Sequence, residues 1–447
     1  MSRVHVKNVG GLHMKYPEIP DFHTLATGLA EYSRLAHEYG AENIQAVLEE
    51  AYHNMRASVD KLQGLAIDPV RAAQEPNGLD QIRLLRPAGP RKIWPVLDEA
   101  RYLEKLEGAM LARFAGCTLG AIVEFWSIEN MEKWAAHLGD DFPPVDYWSG
   151  IKDPDALRYS KSPCSAYTRN GMDGVAVDDD ITYTVLGLLI AEDHGVDFTV
   201  DDVGKAWLKY LPYACTAEEI ALNNLKKGIP ARQAADLDNP CCQWIGADIR
   251  SDPWAYMAPA YPEKAAAMAY HDAYISHRRN GIYGEMFFSA AQSAAFAVDN
   301  AIDALQIGLS EIPSDCLLAR DVRWALQEGK NIRNYKQARQ AVEDKFKGMS
   351  GVHTNNNACL TIFGLMIGGN DVTKVLSETV AMGLDNDCTT ATAGSIVGAI
   401  VGKCGIPAHW TKNFNNKVLT YMIDRESFRI DDLVARFAAQ ARKVYGQ

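Results

Sequence analysis

The chain has 447 residues, a net charge of −12 and a pI near 5.4. That acidic balance excludes the basic face a nucleic-acid binder needs, and 47% hydrophobic with 23% charged residues is the composition of a globular protein with ample core. No run of 18 apolar residues occurs, which excludes an ordinary membrane-spanning helix.

The first stretch, MSRVHVKNVGGLHMKYPEIP, carries no apolar signal core. The nine cysteines are odd in number, scattered and without a CxxC pair. Both features point to a reducing, cytoplasmic compartment. Nothing in the sequence sets the oligomeric state.

In chain order, residues 1–95 read as a helical extension and linker. Helical patterns cover 23–39, ended by Gly40, and 41–65, where apolar residues recur near 3.6 spacing. Breakers from Asp68-Pro69 to Gly89-Pro90 then read as the linker. From 96 to 447 helix follows helix. Capping-box spacing at Thr199…Asp202 and Thr216…Glu219 predicts two helix starts. Pro262 opens a helix to Arg279 that Asn280-Gly281 closes. The Ala/Phe-rich stretch 285–301 reads as a buried helix, and 334–347 as an exposed amphipathic one. Strand alternation is nearly absent, so the expected fold is all-α: one large helical domain at 96–447 after the extension.

Two acidic knots stand at helix starts. Asp178-Asp179-Asp180 precedes an apolar helix, and Gly383-Leu384-Asp385-Asn386-Asp387-Cys388 runs into a helix of small and apolar residues. Aspartates at helix N-termini are common caps, and either knot alone reads as one. Five aspartates are more than capping uses. If the knots meet, their repulsion calls for a hard cation, which takes carboxylate and water oxygens. The stretch from Asp385 is no EF-hand, since it lacks Gly at the sixth place and Glu at the twelfth.

Three other stretches carry polar groups beside apolar helices. Gly116 to Gly120 suits close helix packing, and Glu124 follows as a lone carboxylate at the helix end. The run Ser276 to Gly284 offers His277, Asn280, Gly281 and Tyr283 toward a substrate, although Asn-Gly alone is an ordinary C-cap. The run His353 to Asn357 offers His353 and Asn356, or an N-cap. There is no GxSxG, GxxxxGK[ST], GxGxxG after a strand, or HExxH, and Cys241-Cys242 has no partner at zinc spacing.

Taken in order, these stretches resemble the ADP-ribosylglycohydrolase family, whose pattern is an early Gly-rich helix ending in an acidic residue, a Thr-Asp-Asp metal motif, a Ser/Thr-His…Gly segment and a late Gly-x-Asp-x-Asp-Ser/Thr motif. The resemblance implies an all-α fold with a dinuclear Mg²⁺ (or Mn²⁺) centre. Its ligands would be Asp178, Asp179, Asp180, Asp385 and Asp387, with Glu124 and Asp387 as catalytic carboxylates. It implies glycosidic hydrolysis at the anomeric carbon of a ribosyl or ADP-ribosyl group carried by a protein or a small molecule. The alternatives are a hydrolase of small N-ribosides using the same site, a non-catalytic binding or structural member, and a metal phosphohydrolase. Three positions depart from the pattern: Asp178 stands for the usual Thr and adds a charge, Ile181 stands for a following Thr, and Cys388 stands for the late Ser/Thr.

Overall fold

A computed structural model describes residues 16–447, and the chain divides into two compact units. The smaller holds the residues up to 73 together with 347–349, and the larger holds 74–346 and 350–447.

In the smaller unit the two expected helices form as Phe22–Glu38 and Ile44–Gln63. Asp21 caps the first, accepting from the Thr24 nitrogen at 2.9 Å. Gly40, with φ +75°, turns the chain out of it. Neither helix buries a residue, and Leu25, Tyr32, Val47, Tyr52 and Leu62 are all exposed.

The larger unit begins with the breaker-rich residues 74–95. Glu75, 4% exposed, is ion-paired to Arg279. Arg86 bridges Glu263 and Glu311 at 2.5 Å each, and Arg91 reaches Glu311 at 2.7 Å.

Two helices make the core of the larger unit, Glu99–Gly120 and Asn386–Val401. They approach backbone to backbone because small residues line the seam. A Cβ on Gly120 would stand 2.5 Å from the Asp387 nitrogen, and one on Gly108 would stand 2.6 Å from the Gly398 oxygen. Lys105, 7% exposed, closes the far end by donating to the carbonyls of Ala399 (2.7 Å) and Ile400 (3.0 Å), where a cation suits a helix C-terminus. The buried helices Asp179–His194, Asn280–Ala295 and Thr354–Gly368 belong to the same unit. Among the described residues the only sheets are two-stranded pairs, Leu157–Arg158 with Ser162–Pro163 and Lys417–Leu419 with Ser427–Arg429. The fold is all-α. No helix of the described residues is long and apolar enough to cross a membrane.

Most expected starts hold, including the full capping box at Thr199–Asp202 and Pro262 at the first turn of Pro262–Ala273. Three expectations are corrected. Thr216 does not cap the helix Thr216–Lys226. Cys215 stands at the cap, while the Thr216 hydroxyl turns to Glu218 at 3.4 Å. The helix opened by Pro262 ends at Ala273, and Asn280-Gly281 begins the next helix instead of closing it. Competing partners explain the break: the Arg278 nitrogen donates to the Cys242 carbonyl at 2.9 Å, and the Arg279 nitrogen to Asn77 Oδ1 at 2.8 Å. Glu124 lies beyond the helix end at Gly120, in a loop that the Phe125 nitrogen fastens to the Leu384 carbonyl at 3.0 Å.

Candidate active site

The two acidic knots meet. Asp178 is the N-cap of Asp179–His194 and Asp385 the N-cap of Asn386–Val401. Ligand atoms of Asp180, Asp387 and Cys388 lie within 4.8 Å of one another, as do those of Glu124, Asp385 and Asp387, and those of Asp178, Asp179 and Asp180. The turn Gly383 (φ +69°)–Leu384 (φ +62°) aims the late pair, a conformation natural to Gly and uncommon for Leu.

Buried carboxylates this close cannot all stay ionised without compensation. Burial pushes the Asp180 and Asp385 carboxyls well above their ordinary range, and neighbouring carboxylates add to it. Burial, then the Asp178 charge, pushes Asp179 up to about 7. Burial, then the Asp387 charge, pushes Glu124 up to about 8 against the pull of Arg158. From behind, the fully buried Arg113 holds Asp180 at 3.0 Å and Asp252 at 2.7 Å. Among the described residues three buried carboxylate oxygens have no partner: Asp180 Oδ2, Asp385 Oδ1 and Asp387 Oδ1. An unpaired buried carboxylate oxygen is costly, and such oxygens are the donors a hard divalent cation takes; Asp387 shares one group with Asp180 and another with Asp385 and Glu124. Cys388 is 7% exposed, and burial with the surrounding carboxylates holds its thiol well above the usual range, hence protonated.

A cavity of about 290 Å³ opens beside the knots. Glu124, Asp179, Asp385 and Cys388 form its polar side, Tyr159, Tyr183 and Trp244 supply ring surfaces, and Ile245, Ile249 and Val352 are apolar. Glu218 also lines it, 2% exposed and bonded to Arg250 at 2.9 Å. A wider surface hollow of about 740 Å³ between Arg425 and Arg436 is walled by charges already paired to each other, such as Arg429 with Asp431 at 2.6 Å. It lacks the convergent, desolvated polar groups of a ligand site.

The expected substrate-contacting residues stand behind the cavity wall, and none of the six lines it. His277 is fully buried with Nδ1 2.8 Å from the Ser276 hydroxyl, and burial lowers its pKa well below the ordinary value, leaving it neutral. Asn280 donates to Gln243 Oε1 at 2.9 Å and accepts from the Leu318 nitrogen at 3.0 Å. Gly281 packs on the Cys242 carbonyl, and the Tyr283 hydroxyl donates to the Pro76 carbonyl at 2.5 Å. His353 caps Thr354–Gly368 through Nδ1, and Asn356 donates to the Ser350 carbonyl at 2.8 Å. These residues brace the wall: Trp244 bridges His353, and the Ile245 nitrogen donates to the Val352 carbonyl at 2.9 Å.

Sequence reasoning missed Arg158 and Tyr159. The guanidinium of Arg158 reaches Asp178 Oδ2 at 3.0 Å, Glu124 Oε2 at 2.7 Å and Asp387 Oδ2 at 2.7 Å. The Tyr159 hydroxyl donates to Asp179 Oδ1 at 2.7 Å. The signal that pointed there was the extra charge at Asp178, which needs a counter-charge wherever it is buried.

The family model of ADP-ribosylglycohydrolase matches residues 98–444. The chain belongs to the ADP-ribosylglycohydrolase family. Members of this family are hydrolases acting on glycosidic bonds, and the chain is an enzyme of that kind. Among solved structures it is similar to an ADP-ribosylglycohydrolase-related protein complex, with 17% identity, a TM-score of 0.52, and coverage of 77% of this chain and 99% of that one. At that identity the likeness bears on the fold alone. No curated protein matches the chain in sequence.

Proposed function

We propose that this ADP-ribosylglycohydrolase hydrolyses the bond at the anomeric carbon of a ribosyl or ADP-ribosyl group with the help of Mg²⁺. The observation that carries the reading is the set of three unpartnered buried oxygens, on Asp180, Asp385 and Asp387, contributed by both acidic motifs beside one cavity. Asp179, Asp180, Asp385 and Asp387 would hold the ion, and Mn²⁺ suits the same donors. When bound, the ion supplies Lewis acidity toward sugar hydroxyls and water.

The chain's own residues do the rest. Glycoside cleavage passes through an oxocarbenium-like state and uses a carboxylic acid or carboxylate at the breaking bond. Glu124 borders the cavity, is oriented by Arg158 at 2.7 Å, and is pushed up to about 8 by burial and the Asp387 charge. A carboxyl near neutrality moves protons in either direction. Tyr159, Tyr183 and Trp244 offer ring faces to a sugar or base, while Ile245, Ile249 and Val352 keep water from the reacting carbon.

A second reading has its own support. About 290 Å³ is at the small end for ligand pockets, which favours a small-molecule N-riboside over a bulky ADP-ribosylated protein. Incubating the full chain with an ADP-ribosylated protein and with a panel of N-ribosides, each with Mg²⁺ and with chelator, separates the two by product. Free ribose or ADP-ribose supports glycosidic cleavage. Inorganic phosphate would support a phosphohydrolase, and absence of turnover a binding member.

A further inference from the structure

We propose that Arg158 is a resident cation of the acidic centre, standing where a second metal ion would otherwise sit, so that the centre takes a single divalent ion. This rests on the reading of the site as a divalent-metal centre. The carboxylates gathered here are Glu124, Asp178, Asp179, Asp180, Asp385 and Asp387. Arg158 engages three of them, one with each guanidinium nitrogen: Nε with Asp178 at 3.0 Å, Nη1 with Glu124 at 2.7 Å and Nη2 with Asp387 at 2.7 Å. Nη1 also donates to the Ala121 carbonyl at 2.9 Å. Both oxygens of Asp178 are engaged, Oδ2 by Arg158 and Oδ1 by the Asp180 nitrogen at 3.1 Å. A second ion between Asp178, Glu124 and Asp387 would have to displace the guanidinium from Asp178 Oδ2, Glu124 Oε2 and Asp387 Oδ2, and would otherwise stand against a cation that cannot shed its charge.

The uncommitted oxygens are different ones. Asp180 Oδ2, Asp385 Oδ1 and Asp387 Oδ1 are buried and unpartnered, and Asp387 divides its carboxylate, Oδ2 to Arg158 and Oδ1 free. Asp387 links the two groups of open donors, standing with Asp180 and Cys388 in one and with Glu124 and Asp385 in the other.

Arg158 is a built part of the site and not a surface side chain folded inward. It sits in the strand pair Leu157–Arg158 with Ser162–Pro163, and the Ser162 hydroxyl accepts from the Val177 nitrogen at 3.1 Å, just before Asp178. Next to it, Tyr159 donates to Asp179 at 2.7 Å, its carbonyl accepts from the Tyr213 hydroxyl at 2.8 Å, and its ring packs 5.5 Å from that of Tyr421. The charge that Asp178 adds relative to the family pattern is thus matched by a cation the chain itself supplies.

The test is metal stoichiometry. The full chain is dialysed against Mn²⁺, the bound metal is counted, and the Mn²⁺ electron paramagnetic resonance spectrum is recorded. Wild type is expected to bind one ion per chain with the spectrum of an isolated ion. The charge-balanced double variant Arg158→Met/Asp178→Thr is expected to bind two, with a spin-coupled spectrum. Two coupled ions in wild type overturn the proposal and leave the metal-centre reading intact. No ion in wild type overturns both. A double variant that stays at one ion also overturns it, since Arg158 would then not be what excludes the second. The single variant Arg158→Lys, which keeps a charge, is expected to bind one ion.

Discussion

Gly120 lies against Asp387 so closely that a Cβ on the glycine would stand 2.5 Å from the aspartate's backbone nitrogen. One helix end thereby sets the position of a carboxylate on another. Gly120→Ala forces the seam apart at that point, where backbone and not a flexible side chain would have to move. The expected cost is about 1–3 kcal/mol of stability. Displacing Asp387 by about 1 Å lowers turnover on the order of 10²-fold. Denaturant titration and steady-state rates check the two together.

Burial, then the charges of Asp387 and Glu124, hold the Asp385 carboxyl well above its ordinary range. In the metal-free protein at pH 7–8, Asp385→Asn relieves that repulsion. Melting in chelator is expected to show a stability gain of about 1–2 kcal/mol, while metal affinity falls. A metal-free protein that loses stability on this substitution would contradict the picture of an uncompensated carboxylate.

Glu218 gives a pH dependence that is read in the metal-free protein. Burial raises its pKa from 4.5 to about 7, opposed by Arg250. Between those values the folded chain keeps a proton that the unfolded chain releases, so this group's contribution to stability falls as pH rises from about 4.5 to about 7. The full swing is at most roughly 3 kcal/mol. Glu218→Gln is expected to flatten this part of the stability profile, measured by urea titration across the window.

Cys388 stands within 4.8 Å of donor atoms on Asp180 and Asp387. A thiolate prefers soft ions, and a soft cation displaces the thiol proton that burial otherwise retains. Cd²⁺ is expected to produce a sulfur-to-metal charge-transfer absorption that Cys388→Ser abolishes. Mg²⁺ is expected to bind both forms with similar affinity, as measured by calorimetry.

Much of this site was legible because the chemistry clusters along the chain. Asp178–Asp180 and Asp385/Asp387 announce themselves as charge at the mouths of apolar helices, and the 3.6-residue periodicity carries the helices themselves. Arg158 was not legible, because it sits in a two-residue strand with no periodicity to mark it and its partners are distant in sequence. Asn280 and His353 are ambiguous in sequence for the opposite reason. A polar group beside an apolar helix has the same sequence signature whether it faces a cavity or caps a helix behind the wall, and here both are used up by internal bonds. The break after Ala273 escaped because tertiary partners, Cys242 and Asn77, outcompete helix continuation.

The most direct test of the account is the rate of ribose or ADP-ribose release by wild type and by Asp387→Asn, with Mg²⁺ and after chelation. The account predicts turnover by wild type that chelator abolishes and Mg²⁺ restores, and a loss of about 10²-fold or more in the variant. Release that persists in chelator, or an Asp387→Asn enzyme as fast as wild type, would contradict it.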